Sequence, residues 1–126
     1  MVPTDRRYSK EHEWVRVEGD VATIGITHYA QDQLGDIVFV ELPEVDAELS
    51  RDEVMGTIES VKAVSEIFAP ISGTVVEVNG ELEGKPETLN SDPSGDGWYC
   101  KMSVSDSAEL ESLMDAAAYE ALTQED

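Results

Sequence analysis

Residues 53–69 read EVMGTIESVKAVSEIFA. Two β-type stretches, Glu53 to Glu59 and Val64 to Ala69, share a similar apolar/polar alternation. Only Ser60, Val61, Lys62 and Ala63 separate them. That spacing predicts a β-hairpin over about 53–69 with Lys62 at its tip. A lysine at a tip is ordinarily a solvated side chain. This one has small neighbours, Ser60, Ala63 and Ser65, so its amine stands clear on a rigid turn and packs against nothing. Such an amine suits an enzyme that acylates it, and acylation removes its positive charge.

Outward from the hairpin the pattern stays β. Trp14 to Ile24 alternates around Glu18-Gly19-Asp20, which reads as two strands and a turn. Thr27 caps a short helix over 27–34, and Gly35 stops it. DIVFVEL (36–42) is a strand closed by Pro43, and 44–52 reads as an acidic loop. Pro70-Ile71-Ser72-Gly73 is a turn before a strand at 74–78. Residues 79–97, rich in Gly, Pro, Asn and Asp, read as connecting loops, and 97–102 as a last strand. The period then changes. Asp106 followed by Glu109 is a variant capping box, and Leu110, Leu113, Met114 and Ala117 share one helical face. Asp115 caps a second turn through Ala121. No strand–helix alternation occurs, which excludes a parallel α/β sheet and leaves a β sandwich or barrel with short helices at its edge.

The 126 residues carry 28 Asp plus Glu against 8 Lys plus Arg, a formal charge of −20. A chain so acidic lacks the cations to neutralise nucleic-acid phosphates or to sit on an anionic membrane. No apolar run is long enough to span a bilayer, and the N-terminal stretch lacks the apolar segment of a secretory signal. A cytoplasmic protein is expected. Cys100 alone cannot make an internal disulfide or a multi-cysteine zinc site. His12 and His28 lack zinc-helix spacing, although His12 stands between Glu11 and Glu13 as a candidate metal or acid–base cluster. Nucleotide-cradle and GxSxG motifs are missing. The acids are scattered rather than gathered in a tail, which reads as an acidic surface suited to a salty cytoplasm.

Residues 53–79, EVMGTIESVKAVSEIFAPISGTVVEVN, resemble the lipoyl-attachment hairpin of the glycine cleavage system H-protein family. YSKEHEWVRVEGDVATIGIT, AQDQLGDIVFVELPEV, the Gly97-Trp98 loop and AELESLMDAAAYEAL are similar to the same family in the same order, so the likeness covers about residues 7 to 122. It implies one lipoyl-carrier domain over 1–126, a mainly β barrel-sandwich hybrid like the lipoyl and biotinyl carriers. Short peripheral helices are implied near 27–34 and 106–121, the second within a C-terminal helical segment at about 105–122. It implies a carrier and not an enzyme, with lipoate in amide linkage on Lys62. The arm takes an aminomethyl group from a pyridoxal-phosphate glycine decarboxylase to a tetrahydrofolate-dependent aminomethyltransferase. A dihydrolipoyl dehydrogenase then reoxidises it. Lipoate-attaching enzymes are implied as further partners, and a monomer is the default. Glu13 and Glu66 match acidic residues that contact the cationic end of the loaded arm in a surface cleft. A relay that passes lipoyl groups to other carriers is the alternative within the family. Glu66, Glu11, His28 and Ser94 depart from the usual residues at their positions.

Overall fold

The protein is described here by a computed structural model covering residues 3–124. Two antiparallel sheets make the fold. In the larger, β2 (Glu13–Glu18) and β3 (Val21–Ile26) form a hairpin turned at Gly19, whose φ of 64° favours glycine. β3 pairs with β9 (Cys100–Ser103), β9 with β8 (Gly73–Val78), and β8 with β5 (Glu48–Leu49). The two-residue β1 (Arg7–Tyr8) edges the sheet along β2. The smaller sheet places β6 (Val54–Ser60) between β4 (Ile37–Glu41) and β7 (Val64–Phe68). β6 and β7 are the hairpin expected at 53–69.

The core lies between the sheets. Ile24, Ile26, Val75 and Met102 from one meet Met55, Ile58 and Ile67 from the other. Each aliphatic side chain so buried stabilises the fold by roughly 1.5–3 kcal/mol. The central strand β3 is buried almost throughout, which explains its near-continuous apolar run. Tyr99 reaches across to the small sheet and donates its hydroxyl to the Glu41 carbonyl. A Cβ on Gly56 would strike the Tyr99 hydroxyl, so glycine on β6 is what lets the tyrosine through.

The helix α1 (His28–Leu34) is as the sequence predicts. The Ala30 N–H donates to the Thr27 hydroxyl at 3.2 Å, and Gly35 ends the helix at φ 79° with its N–H on the Gln31 carbonyl. The stretch 79–97 differs from the loops expected. It folds into α2 (Glu81–Gly84) and α3 (Thr88–Ser91), single turns that bury Leu82 and Leu89 in the core. At four residues each, they are too short for an apolar period to show. The last strand starts at Cys100 rather than 97, because Gly97 and Trp98 turn back to the Asp92 and Gly95 carbonyls.

In the C-terminal segment the two helical turns and the Asp115 cap are as expected, and the apolar face alone is corrected. The segment divides into α4 (Ala108–Glu111) and α5 (Ala116–Gln124). Between them Met114 exchanges both backbone hydrogen bonds with Tyr8 at 2.8 Å, which pulls the chain out of helical geometry. The face therefore shifts. Ala116 and Tyr119 are buried, Ala117 is exposed, and Asp115 accepts from the Ala118 N–H at the head of α5. Tyr119 stacks on Tyr8 with centroids 4.7 Å apart, beside Trp14, in a second apolar cluster.

Candidate functional site

Lys62 is exposed on the turn between β6 and β7. The Ser60 N–H donates to the Ala63 carbonyl at 2.8 Å, closing the turn. The Ser60 hydroxyl then catches the N–H groups of Ala63 (3.1 Å) and Lys62 (3.4 Å). Neither Val61 nor Lys62 has a positive φ. A hairpin with two central residues usually needs positive φ there, and here the serine side chain satisfies the turn's backbone instead.

The turn rests on the end of α1. The Val61 N–H donates to the Asp36 carbonyl at 3.0 Å. Lys62 does pack against something: its Cε lies 3.5 Å from where a Cβ on Gly35 would sit. Bare backbone at Gly35 gives the lysine stem a shelf. Asn90 of α3 holds that shelf. Its Oδ1 accepts the Ile37 N–H at 2.9 Å, and its Nδ2 donates to the Gly35 carbonyl at 2.7 Å and to Gln31 Oε1 at 3.0 Å. Asn90 carries no motif that would single it out, because it sits in a stretch whose composition reads as loops.

A cleft of about 330 Å³ opens beside this shelf, between α1, the β1–β2 turn and β7. Glu11, His12, Ile26, Tyr29, Leu34 and Glu66 are among its lining residues. Leu34, which lines it, precedes Gly35 in the chain, while Gly35 and Lys62 themselves lie outside the lining. Its floor is apolar and its rim carries Glu66, an exposed carboxylate.

Glu13 is not brought to that cleft with Glu66. It is buried under β7, where Oε2 accepts the Phe68 N–H at 3.3 Å and Oε1 accepts the Ser9 hydroxyl at 2.5 Å. It borders a separate cavity of about 280 Å³ with Tyr8, Arg51 and Asp52. Glu11 borders both. Burial pushes the Glu13 carboxyl up to about 7, against the opposing pull of those two hydrogen bonds.

His12 forms a wall of the cleft and holds a φ of 71°. Its Nδ1 lies 2.7 Å from the Tyr119 hydroxyl, which lies 2.6 Å from Thr27 Oγ1. Its ring also leans on Tyr29, centroids 4.6 Å apart. The C-terminal helix thus pins a strained turn to the cap of α1. Among the described residues no group of three or more His, Cys, Asp or Glu could hold a metal. The Cys100 thiol is buried, which pushes it up to about 12.

A family model described as Glycine cleavage H-protein matches residues 6–126. The glycine cleavage system H protein of Symbiobacterium thermophilum is 60% identical, covering 98% of this chain and 97% of that protein. The protein of the same name from Bacillus subtilis is 59% identical over 99% and 98%. A crystal structure of a glycine cleavage system H protein from Mycobacterium marinum superposes with a TM-score of 0.90 at 38% identity, covering 97% of this chain and 98% of that one.

Asn90→Ala leaves the Ile37 N–H and the Gly35 carbonyl without their partner. It is expected to cost about 1–3 kcal/mol in urea unfolding, and a loss under about 0.5 kcal/mol would deny Asn90 this role. Glu13 yields a pH prediction. Its ordinary value of 4.5 is raised in the fold, so the native state binds a proton more tightly than the unfolded chain. The resulting stabilisation is complete below 4.5 and is lost as pH rises through 7, at most about 3 kcal/mol. Glu13→Gln keeps an acceptor without the charge. Its melting temperature should gain on that of the parent between pH 5 and 8, and a constant difference would show that Glu13 does not titrate there.

Proposed function

The chain belongs to the glycine cleavage H-protein family, and we propose from that premise that Lys62 is the lysine that bears its lipoyl group. Members of this family are non-catalytic carriers with lipoate covalently attached to a lysine, and this chain is such a carrier in glycine cleavage. When bound, lipoate supplies the disulfide on which the carried aminomethyl group travels.

The placement of Lys62 supports the assignment most strongly. Of the four lysines it alone stands on a tight turn between two long paired strands, β6 and β7, whereas Lys10 lies on the wider turn that follows the two-residue β1. Lys85 ends α2. Lys101 is half-buried on β9, over Trp98 and 3.7 Å from Glu77. The cleft beside the Lys62 stem offers an apolar floor from Ile26 and Leu34 and a rim carboxylate from Glu66. That combination suits an extended aliphatic arm ending in an amine. Glu66 faces that amine directly. Glu13 contributes from beneath β7, where a nearby cation favours its ionised form.

We further propose a monomer at work in the cytoplasm with a pyridoxal-phosphate decarboxylase, a tetrahydrofolate-dependent aminomethyltransferase and a dihydrolipoyl dehydrogenase. No helix among the described residues is long and apolar enough to cross a membrane. A carrier that visits several active sites gains from a freely diffusing body and a tethered arm. The acidic surface supports a salty cytoplasm. Among the described residues Glu13 is the one buried acid, Glu109 and Glu120 are half-buried, and every other Asp and Glu is exposed.

Intact-mass analysis and peptide mapping after incubation with a lipoate-attaching enzyme should place one lipoyl group on Lys62. Lys62→Arg should carry none and keep its melting temperature, because an arginine stem covers the Gly35 shelf equally well. Lipoate found on Lys10, Lys85 or Lys101 would sink the assignment. Salt tests the surface reading. The screening length shrinks from about 10 Å at 0.1 M to about 3 Å at 1 M, so the melting temperature should climb steeply over that range. A flat profile would detach the acids from any adaptation to salt.

A further inference from the structure

We propose that the outer face of the small sheet is the docking surface for the enzyme that attaches the acyl group to Lys62, and that it fits an apolar patch ringed by Lys and Arg. The inference rests on the reading of Lys62 as the modified lysine.

The face is built across three strands. Phe39 on β4 stands opposite Glu59 on β6, and Glu59 stands opposite Val64 on β7. Directly opposed residues in antiparallel strands share a face, so Phe39, Glu59 and Val64 form one row beside the Lys62 turn. The next row is Glu41, Thr57 and Glu66. Val61 adjoins the lysine itself. Phe39 is 50% exposed, Val38 52%, Val64 64% and Val61 70%. Val17, Val45, Val54 and Val76 are exposed as well, but none belongs to this row, and the second phenylalanine, Phe68, is half-buried.

A bulge makes this exposure. β4 advances from Ile37 to Phe39 while its partner moves only from Ser60 to Glu59. The extra residue lets Val38 and Phe39 both stay exposed, while Ile37 and Val40 still reach the core. A bulge gives up regular pairing and re-aims side chains. Here it delivers two apolar groups to water beside an amine that must be recognised.

Reach selects the occupant. Attachment joins the Lys62 nitrogen to the carbonyl carbon of an activated acyl group, a mixed anhydride or a thioester. The bond from that carbon to its leaving group breaks, and the amine gives up a proton. The reacting nitrogen is held on only a four-carbon stem. The attaching enzyme must therefore bring its active site down onto the turn, and Phe39, Val61 and Val64 come into contact with it. Partners that act at the far end of the finished arm need no such approach. The acids set the charge of the occupant. Glu41, Glu59 and Glu66 lie among the apolar residues, on a body of net charge −20. The matching surface carries cations around an apolar centre.

The test follows attachment of lipoate to the full-length apo chain by a purified attaching enzyme. Phe39→Ser/Val64→Ser should lower kcat/KM about tenfold or more, through KM, while Phe39→Leu/Val64→Ile restores it. Acetylation of Lys62 by a small acylating reagent, read by peptide mapping, should proceed equally in parent and variants, because the amine itself is unaltered. Glu41→Lys should raise KM at low salt, and the difference should vanish at molar salt. Three results would overturn the proposal: an unchanged kcat/KM in the serine variant, equal slowing of both enzyme and reagent, or a dimer of the parent chain that the serine variant dissociates. The last would assign the face to a second copy. Failure of the underlying reading looks different, because lipoate would then appear on a lysine other than 62 in the parent chain.

Discussion

The Asn90 carboxamide joins three parts of the chain that otherwise have no reason to meet. It receives the first N–H of β4, donates to the carbonyl at the end of α1, and holds the side chain of the buried Gln31. Three demands of partly buried polar groups are met by one side chain. The Lys62 turn depends on the result, since Val61 hangs from the Asp36 carbonyl and the lysine stem lies over Gly35. A modified lysine has to be mobile at its tip and fixed at its root. Ser60 fixes the turn from within, and Asn90 fixes the ground on which it stands.

The hairpin, the β2–β3 pair and α1 were legible because each carries a local signal: alternation, a glycine turn, or a Thr cap with a Gly stop. The parts that escaped are made by contacts distant in sequence. β1 and β5 have two residues each and exist only as edges to β2 and β8. α2 and α3 are single turns ordered by burying Leu82 and Leu89. The terminal face was placed one residue late because the Tyr8–Met114 bridge breaks a period that the sequence alone runs straight through. Lys62 could be read by both routes, from its flanks and from the family resemblance. Asn90 and Tyr119 offered no such handle, since a lone Asn in a turn-rich stretch and a lone Tyr on a helix have many ordinary uses.

Glu13 and Glu66 looked equivalent as two acids that match a family pattern, and burial separates them. Glu66 remains a solvated carboxylate on a rim. Glu13 has lost its water and titrates near neutrality, held by one hydroxyl and one backbone N–H. A group in that state responds to its surroundings in a way that surface acids cannot. A cation brought close would favour its ionised form, because an opposite charge nearby stabilises a carboxylate.

The hairpin therefore faces two ways. Its β7 edge borders the cleft, with Glu66 on the rim, and covers Glu13, which lies beside a separate cavity. Its outer face, bulged at Val38, shows apolar groups to solvent. These duties belong to different moments, because a stem must be recognised before an arm exists to be sheltered. Glu66 would serve both in turn, since it stands on the rim of the cleft and also in the outer row with Glu41 and Thr57. On a chain this acidic, electrostatic attraction alone would draw any basic surface to almost any face. The apolar row of Phe39 and Val64 is what distinguishes one face from the rest, since a contact that buries it gains free energy that salt does not screen.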